Sequence, residues 1–178
     1  MPRTQRVGRP GAARHRFGRA ALALLLALSV VEVPAAAAAD LPTLASVLAD
    51  YAPPEGSEFL QAPGDLYFEL HRVEVTSRVT YLGDHRPIDE ERLHFLEAYF
   101  ERSLKRSEWS TQYTEEILCA QGNLRYWLPI QSTLLKYLVD ETKAPTDLAV
   151  DVRLLGAYRA RGGALVNVLI VTEFNEAE

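Results

Sequence analysis

The chain has 178 residues, 48% of them hydrophobic and 24% charged, with ten Gly, ten Pro, one Cys and a formal charge of −5. That balance excludes collagen-like, coiled-coil, disulfide-framework and wholly disordered chains. The charge is unevenly placed: residues 1–39 hold six Arg against one Glu, whereas residues 40–178 hold 13 Lys and Arg against 23 Asp and Glu, a balance of −10.

The first 39 residues have the pattern of a cleaved secretory signal peptide. Arg3, Arg6, Arg9, Arg14, Arg16 and Arg19 precede an apolar run from Ala20 to Val31, and Ala37-Ala38-Ala39 is the small-residue pattern that a signal peptidase accepts. A spanning helix needs ~20 apolar residues. The run stops short of that at Glu32 and Pro34, so no stable membrane anchor is expected after cleavage at Ala39. The expected destination is the periplasm or the extracellular medium, with residues 40–178 as a single globular domain. Cys119 is the only thiol, so no intramolecular disulfide forms and the domain must stand on its apolar core. Lying among Ile117, Leu118 and Ala120, Cys119 is expected to be reduced and buried.

In chain order, Pro42 suits a first helical position and Leu44, Val47, Leu48 and Tyr51 recur at helical spacing, which predicts a short helix over 42–51. From Leu66 the period becomes two, and the apolar parity switches across His71-Arg72; one inserted residue does that, so a long strand with a bulge or bend is expected there. Asp89, followed by Glu90 and Glu91, is a helix start, and Leu93, Leu96, Phe100 and Leu104, widened by Tyr99, form an apolar stripe over 89–107. Two strands, about 111–119 and 124–129, face each other across Gln121-Gly122-Asn123, with Pro129 expected to end the pairing. A helix from Ser132 to about 141 follows. The final hairpin joins the half-wet strand around Val150, Val152 and Leu154 to Ala164–Phe174, which is apolar on both faces.

This order predicts an α+β fold: a five-stranded antiparallel, OB-like Greek-key barrel with an N-terminal helix and an inserted helix. An open antiparallel sheet with its helices on one face is the alternative. On the last strand, Val166, Val168 and Ile170 are expected to face the barrel interior. Leu165, Leu169 and Val171 are expected to lie under the helix of Leu93, Leu96, Phe100 and Leu104. The segment Tyr126-Trp127-Leu128-Pro129-Ile130-Gln131, followed by an apolar strand ending Thr172-Glu173-Phe174, resembles a group of small exported bacterial proteins of unknown function. The resemblance implies no catalytic residue, cofactor or substrate.

Nucleophile elbows, zinc and calcium spacings, phosphate loops and dinucleotide fingerprints are absent from the sequence. Glu90, Glu91, His94, Glu97 and Glu101 include a Glu-x-x-His pair, but bundle metal sites need two such helices, so these read as a solvated acidic face. No catalytic residue, metal ligand or cofactor is assigned. If Tyr126 faces the core with Leu124 and Leu128, Arg125 and Trp127 lie outward together as the candidate ligand-binding pair, able to receive a ring, a sugar or a partner's side chain. Trp109 reads as a closing hydrophobic contact. Nucleic acid is not expected as a partner of a chain with this acidic balance and no basic run after its leader.

The sequence therefore points to an exported binding or accessory domain for a protein partner or small ligand. One alternative is a small hydrolase or metal-dependent enzyme using His71, His85 or His94. Another is a structural subunit of an envelope complex, using the two-sided last strand as its interface.

Overall fold

A computed structural model describes residues 41–177. The signal-peptide and cleavage-site expectations fall outside the described residues. Five strands close into a barrel: β1 (Leu66–Pro87), β2 (Glu115–Gln121), β3 (Leu124–Ile130), β4 (Thr146–Arg159) and β5 (Leu165–Glu176), in the spatial order β1-β2-β3-β5-β4. Helix α1 (Leu44–Tyr51) precedes β1, α2 (Glu90–Leu104) and a 3-10 turn (Ser107–Gln112) connect β1 to β2, and α3 (Ser132–Glu141) connects β3 to β4. The closed ring excludes the open sheet. It also corrects the all-antiparallel expectation, because β3 and β5 meet in parallel at Ile130 and Val171. Sequence periodicity carries no information on that seam, which joins strands with α3 and β4 between them.

β1 is long enough to pair with both β2 and β4, and it bends where the parity switch lies. Its register against β4 shifts between Phe68 and Val73, so the bulge brackets His71-Arg72. Gly156 of β4 faces that bend. It has φ +141°, and a Cβ placed there would stand 2.0 Å from the Tyr67 carbonyl oxygen, so the close approach of the two backbones requires glycine.

Asp89 caps α2 by accepting the Arg92 N–H at 2.9 Å, and Lys105, in the left-handed region at φ 56°, ends the helix. Residues 107–112 form the 3-10 turn rather than the start of a strand, so β2 begins at Glu115 instead of about 111. Pro129 does not end pairing either: it lies within β3 opposite Glu116. A proline is tolerated there because β3 meets β5 only at Ile130, leaving its other edge without a ladder to supply.

The core has two compartments. Inside the barrel lie Val79, Tyr81, Ile117, Cys119, Leu128, Val150, Val152, Leu169 and Val171, with α1 contributing Leu44 and Val47 and α3 contributing Leu135 and Leu138. The N-terminus of α1 is tied to the sheet by the Leu44 N–H, which donates to Gln121 Oε1 at 2.7 Å. Outside the barrel, α2 packs Phe95, Leu96, Tyr99 and Phe100 against Leu155, Val168 and Ile170. The two faces of β5 are thus the reverse of the expected assignment: Leu169 and Val171 point inward, and Val168 and Ile170 lie under α2. Both series are equally apolar, so only the register with β4, where Val152 faces Val171 and Leu154 faces Leu169, decides which is inside. The covering helix is the expected one, and Trp109 closes the compartment with its ring 6.2 Å from Phe100.

Candidate functional site

On the barrel surface beside the first turn of α2, the register brings three outward rows together. Thr80, Ala120 and Arg125 form one row, Leu118 and Trp127 the next, and Arg86, Glu116 and Pro129 the third. The placement follows from alternation on β3: Tyr126, Leu128 and Ile130 contribute to the barrel interior, so Arg125, Trp127 and Pro129 point out.

The third row is built around a fully buried carboxylate. Glu116 accepts from Arg86 Nε at 2.7 Å on one oxygen and from Arg92 Nη1 on the other. Arg92 comes from α2 and also donates to the Trp127 carbonyl at 3.3 Å, so one guanidinium clamps helix, β2 and β3 together. The Arg86 guanidinium then lies over the Trp127 ring, 4.0 Å from its centroid. A buried carboxylate is tolerated only when its charge and lone pairs are met, and two arginines meet them here.

Trp127 is half-buried and Arg125 exposed. The structure therefore brings the candidate pair Trp127 and Arg125 onto one face, with Arg86 stacked on the ring and Ala120, a small residue, opposite Arg125 in the neighbouring row. No hydrogen bond or ion pair holds Arg125 among the described residues. The carboxylates at the margins are engaged: Asp147 accepts from the Thr80 hydroxyl at 2.7 Å, and Asp89 caps α2. Glu116, Arg86 and Arg92 were not singled out from the sequence. The signal available was Glu116, second of a Glu pair, at an outward position of an otherwise apolar strand, which asks for a buried partner.

A second feature is a cleft of about 440 Å³ between α2, Gly64 and the β4–β5 turn, lined by Glu90, His94 and Glu97 on the helix and by Tyr158, Arg159 and Arg161 opposite. Its arginines are already engaged. Arg159 donates to the Leu60 and Gly163 carbonyls at 2.9 and 2.8 Å, and Arg161 pairs with Glu91 at 3.3 Å. No group of three or more His, Cys, Asp or Glu positioned for a metal ion occurs among the described residues.

Among the described residues, His71 and His85 do not line this cleft. His71 Nδ1 is 2.9 Å from Glu69, and His85 Nδ1 is 2.5 Å from Glu115. Burial pushes the Glu69 carboxyl up, but hydrogen bonds from the His71 N–H, the His71 ring and the Tyr67 hydroxyl outweigh it and hold the group below the usual carboxylate range. Cys119 is free and buried inside the barrel, and desolvation pushes its thiol up to about 12, far from a reactive thiolate at neutral pH.

The apolar last strand leaves no bare patch around Leu169 and Val171, which are both buried. No described helix is long and apolar enough to cross a membrane. No protein-family model matches the chain, and no curated protein or solved structure matches it.

Proposed function

We propose that this chain is an exported binding or accessory domain, built on an OB-like Greek-key barrel, that receives a protein partner or a small ligand on the outer face of β2 and β3 around Trp127 and Arg125. The OB-like reading draws support from the strand order, from the parallel meeting of β3 and β5, and from the position of α3 between β3 and β4. Barrels of that kind use the face of strands 2 and 3 for ligands. The observation that carries the functional reading is a half-buried indole on an outward sheet position, held from one side by Arg86 and flanked by an exposed arginine with no hydrogen bond or ion pair among the described residues. Tryptophan and arginine are the residue types that most often dominate binding energy at interfaces.

Export is proposed on the leader sequence, with the periplasm or the extracellular medium as destination. Native mass spectrometry of the protein isolated from its own compartment tests the binding reading: a bound mass is expected on the wild type and is lost in Trp127→Ala. A wild-type protein carrying no bound mass would overturn it.

The second reading is a small hydrolase centred on the cleft beside α2. It is favoured by His94 lining that cleft together with Glu90, Glu97 and Tyr158. Retention of the bound mass in Trp127→Ala, with loss in His94→Ala, would move the site there.

A further inference from the structure

We propose that the strip of β3 from Arg125 to Trp127 is a docking surface for an extended acidic segment of a partner protein, an acidic side chain meeting Arg125 and an apolar side chain two residues further on meeting Trp127. The proposal rests on the binding-domain reading above and names the chemistry of its partner.

In the three outward rows the charged groups are Arg86, Arg125 and Glu116, with Arg92 reaching in from α2. The carboxylate is fully buried and already shared by two guanidinium groups, so the β2–β3 part of the surface presents positive charge, the exposed Asp147 of the first row lying beyond Thr80 on β4. This stands on a chain whose residues 40–178 carry −10. Long-range repulsion from the rest of such a chain disfavours a long polyanion, whereas a short segment with a few carboxylates meets only the local arginines. An arginine fork is also matched in shape to a carboxylate, which accepts two parallel N–H bonds.

Arg125 and Trp127 stand two residues apart on one strand face, about 7 Å by strand geometry, and side chains i and i+2 of an extended segment share that separation. Between and beside them lie Ala120 and Leu118, a low apolar floor. Arg86 covers the Trp127 ring from the row on the other side, which leaves the flank toward Arg125 for the incoming apolar group.

The test uses the exported chain carrying Trp109→Phe, so that Trp127 is its only indole. It is titrated with a blocked heptapeptide, Glu-Ser-Leu-Ser-Glu-Ser-Leu, with the same peptide carrying Gln for Glu, with a decamer of thymidylate, and with an oligogalacturonate. The Glu peptide is expected to shift Trp127 emission. The Gln peptide, and the Glu peptide on Arg125→Gln, are each expected to bind about tenfold more weakly, the loss of one good charge-assisted contact. Arg125 is exposed, so Arg125→Gln keeps its thermal unfolding midpoint. Equal affinity for the Glu and Gln peptides would overturn the proposal. Tighter binding of the oligonucleotide or the sugar acid than of the Glu peptide would overturn the choice of partner and leave the face as a binding site. If no probe shifts Trp127 emission, the acidic-segment proposal falls; the bound mass lost in Trp127→Ala then decides separately whether the binding-domain reading survives.

Discussion

Where α2 lies along the barrel, the outward residues of β4 and β5 are Leu155, Val168 and Ile170, sealed beneath Phe95, Tyr99 and Phe100. Beyond the first turn of that helix, on β2 and β3, the outward residues are Glu116, Leu118, Arg125 and Trp127, and among the described residues only the Arg92 side chain reaches from α2 onto them. The first surface is finished by aromatic packing: Phe68 meets Phe95 and Tyr99 at 5.4 and 5.8 Å, and Phe100 stacks on Tyr113 at 5.5 Å. The second is finished by an ion-pair clamp that holds a tryptophan and an arginine in place. A covered face needs shape and apolar area, which any well-fitting hydrophobic set supplies. On the binding reading proposed above, a buried carboxylate and two arginines that orient one half-buried indole serve contact with a partner.

The largest expected effects fall on the covered side. Val168→Asp places a carboxyl under α2 and is expected to leave the chain unfolded by circular dichroism at 25 °C, since burying it, ionised or protonated, together with the lost packing costs a large part of the ~5–15 kcal/mol that hold a domain together. A folded Val168→Asp would mean that α2 does not seal that face. On the other surface, Glu116→Gln leaves two guanidinium groups around a neutral amide; breaking a buried pair in this way costs about 3–5 kcal/mol. The loss is read from urea unfolding, together with a change in Trp127 emission as Arg86 comes off the ring. A smaller loss would show the clamp to be solvated and the two surfaces less different than argued.

Leu169→Ala and Ile170→Ala sharpen the comparison across a single strand. One truncates toward the barrel interior and the other toward α2, and each is expected to cost roughly 2–5 kcal/mol because both are buried. Leu169→Ala alone being costly would show α2 to be loosely held.

Acid should weaken the fold through carboxylates whose values are held low. Burial pushes Glu74 up, but hydrogen bonds and charge from Arg72 and Arg153 outweigh it and hold the group below the usual range, as the contacts of Glu69 do there. A depressed folded value means that the stabilisation is full above the unfolded carboxylate pKa and is lost as the pH falls through the folded value. Urea midpoints are therefore expected to fall below pH ~4.5, less steeply in Glu74→Gln. The smallest effect is on Arg125→Gln, a surface change expected to stay within ~0.5 kcal/mol of wild type.

Much of the fold is legible in the sequence where one local signal decides. The parity switch at His71-Arg72 marks the bulge of β1, Asp89 marks the start of α2, and the Gly-containing turn marks the β2–β3 hairpin. What is not legible depends on the pairing of distant segments. Val168 and Leu169 are both apolar, so their sides are set by the register with β4. Pro129 reads as a stop until its free edge is known, and the parallel seam at Ile130 and Val171 joins strands separated by α3 and β4. The candidate site divides in the same way. Alternation along β3 places Arg125 and Trp127 outward together, but the clamp beneath them joins Arg86, Arg92 and Glu116 from three elements, and nothing in their spacing links them.

The central claim is that the face of β2 and β3, and not the cleft beside α2, receives the partner. A photo-cross-linking residue placed at Asn123, in the β2–β3 turn two residues before Arg125, and, separately, at Glu97, followed by illumination of the protein in its own compartment, compares the two sites directly. Both positions are exposed and neither side chain belongs to the core. The account predicts a discrete adduct from position 123 that disappears when Trp127→Ala is added, and none from position 97. An adduct from position 97 with none from position 123 would contradict it.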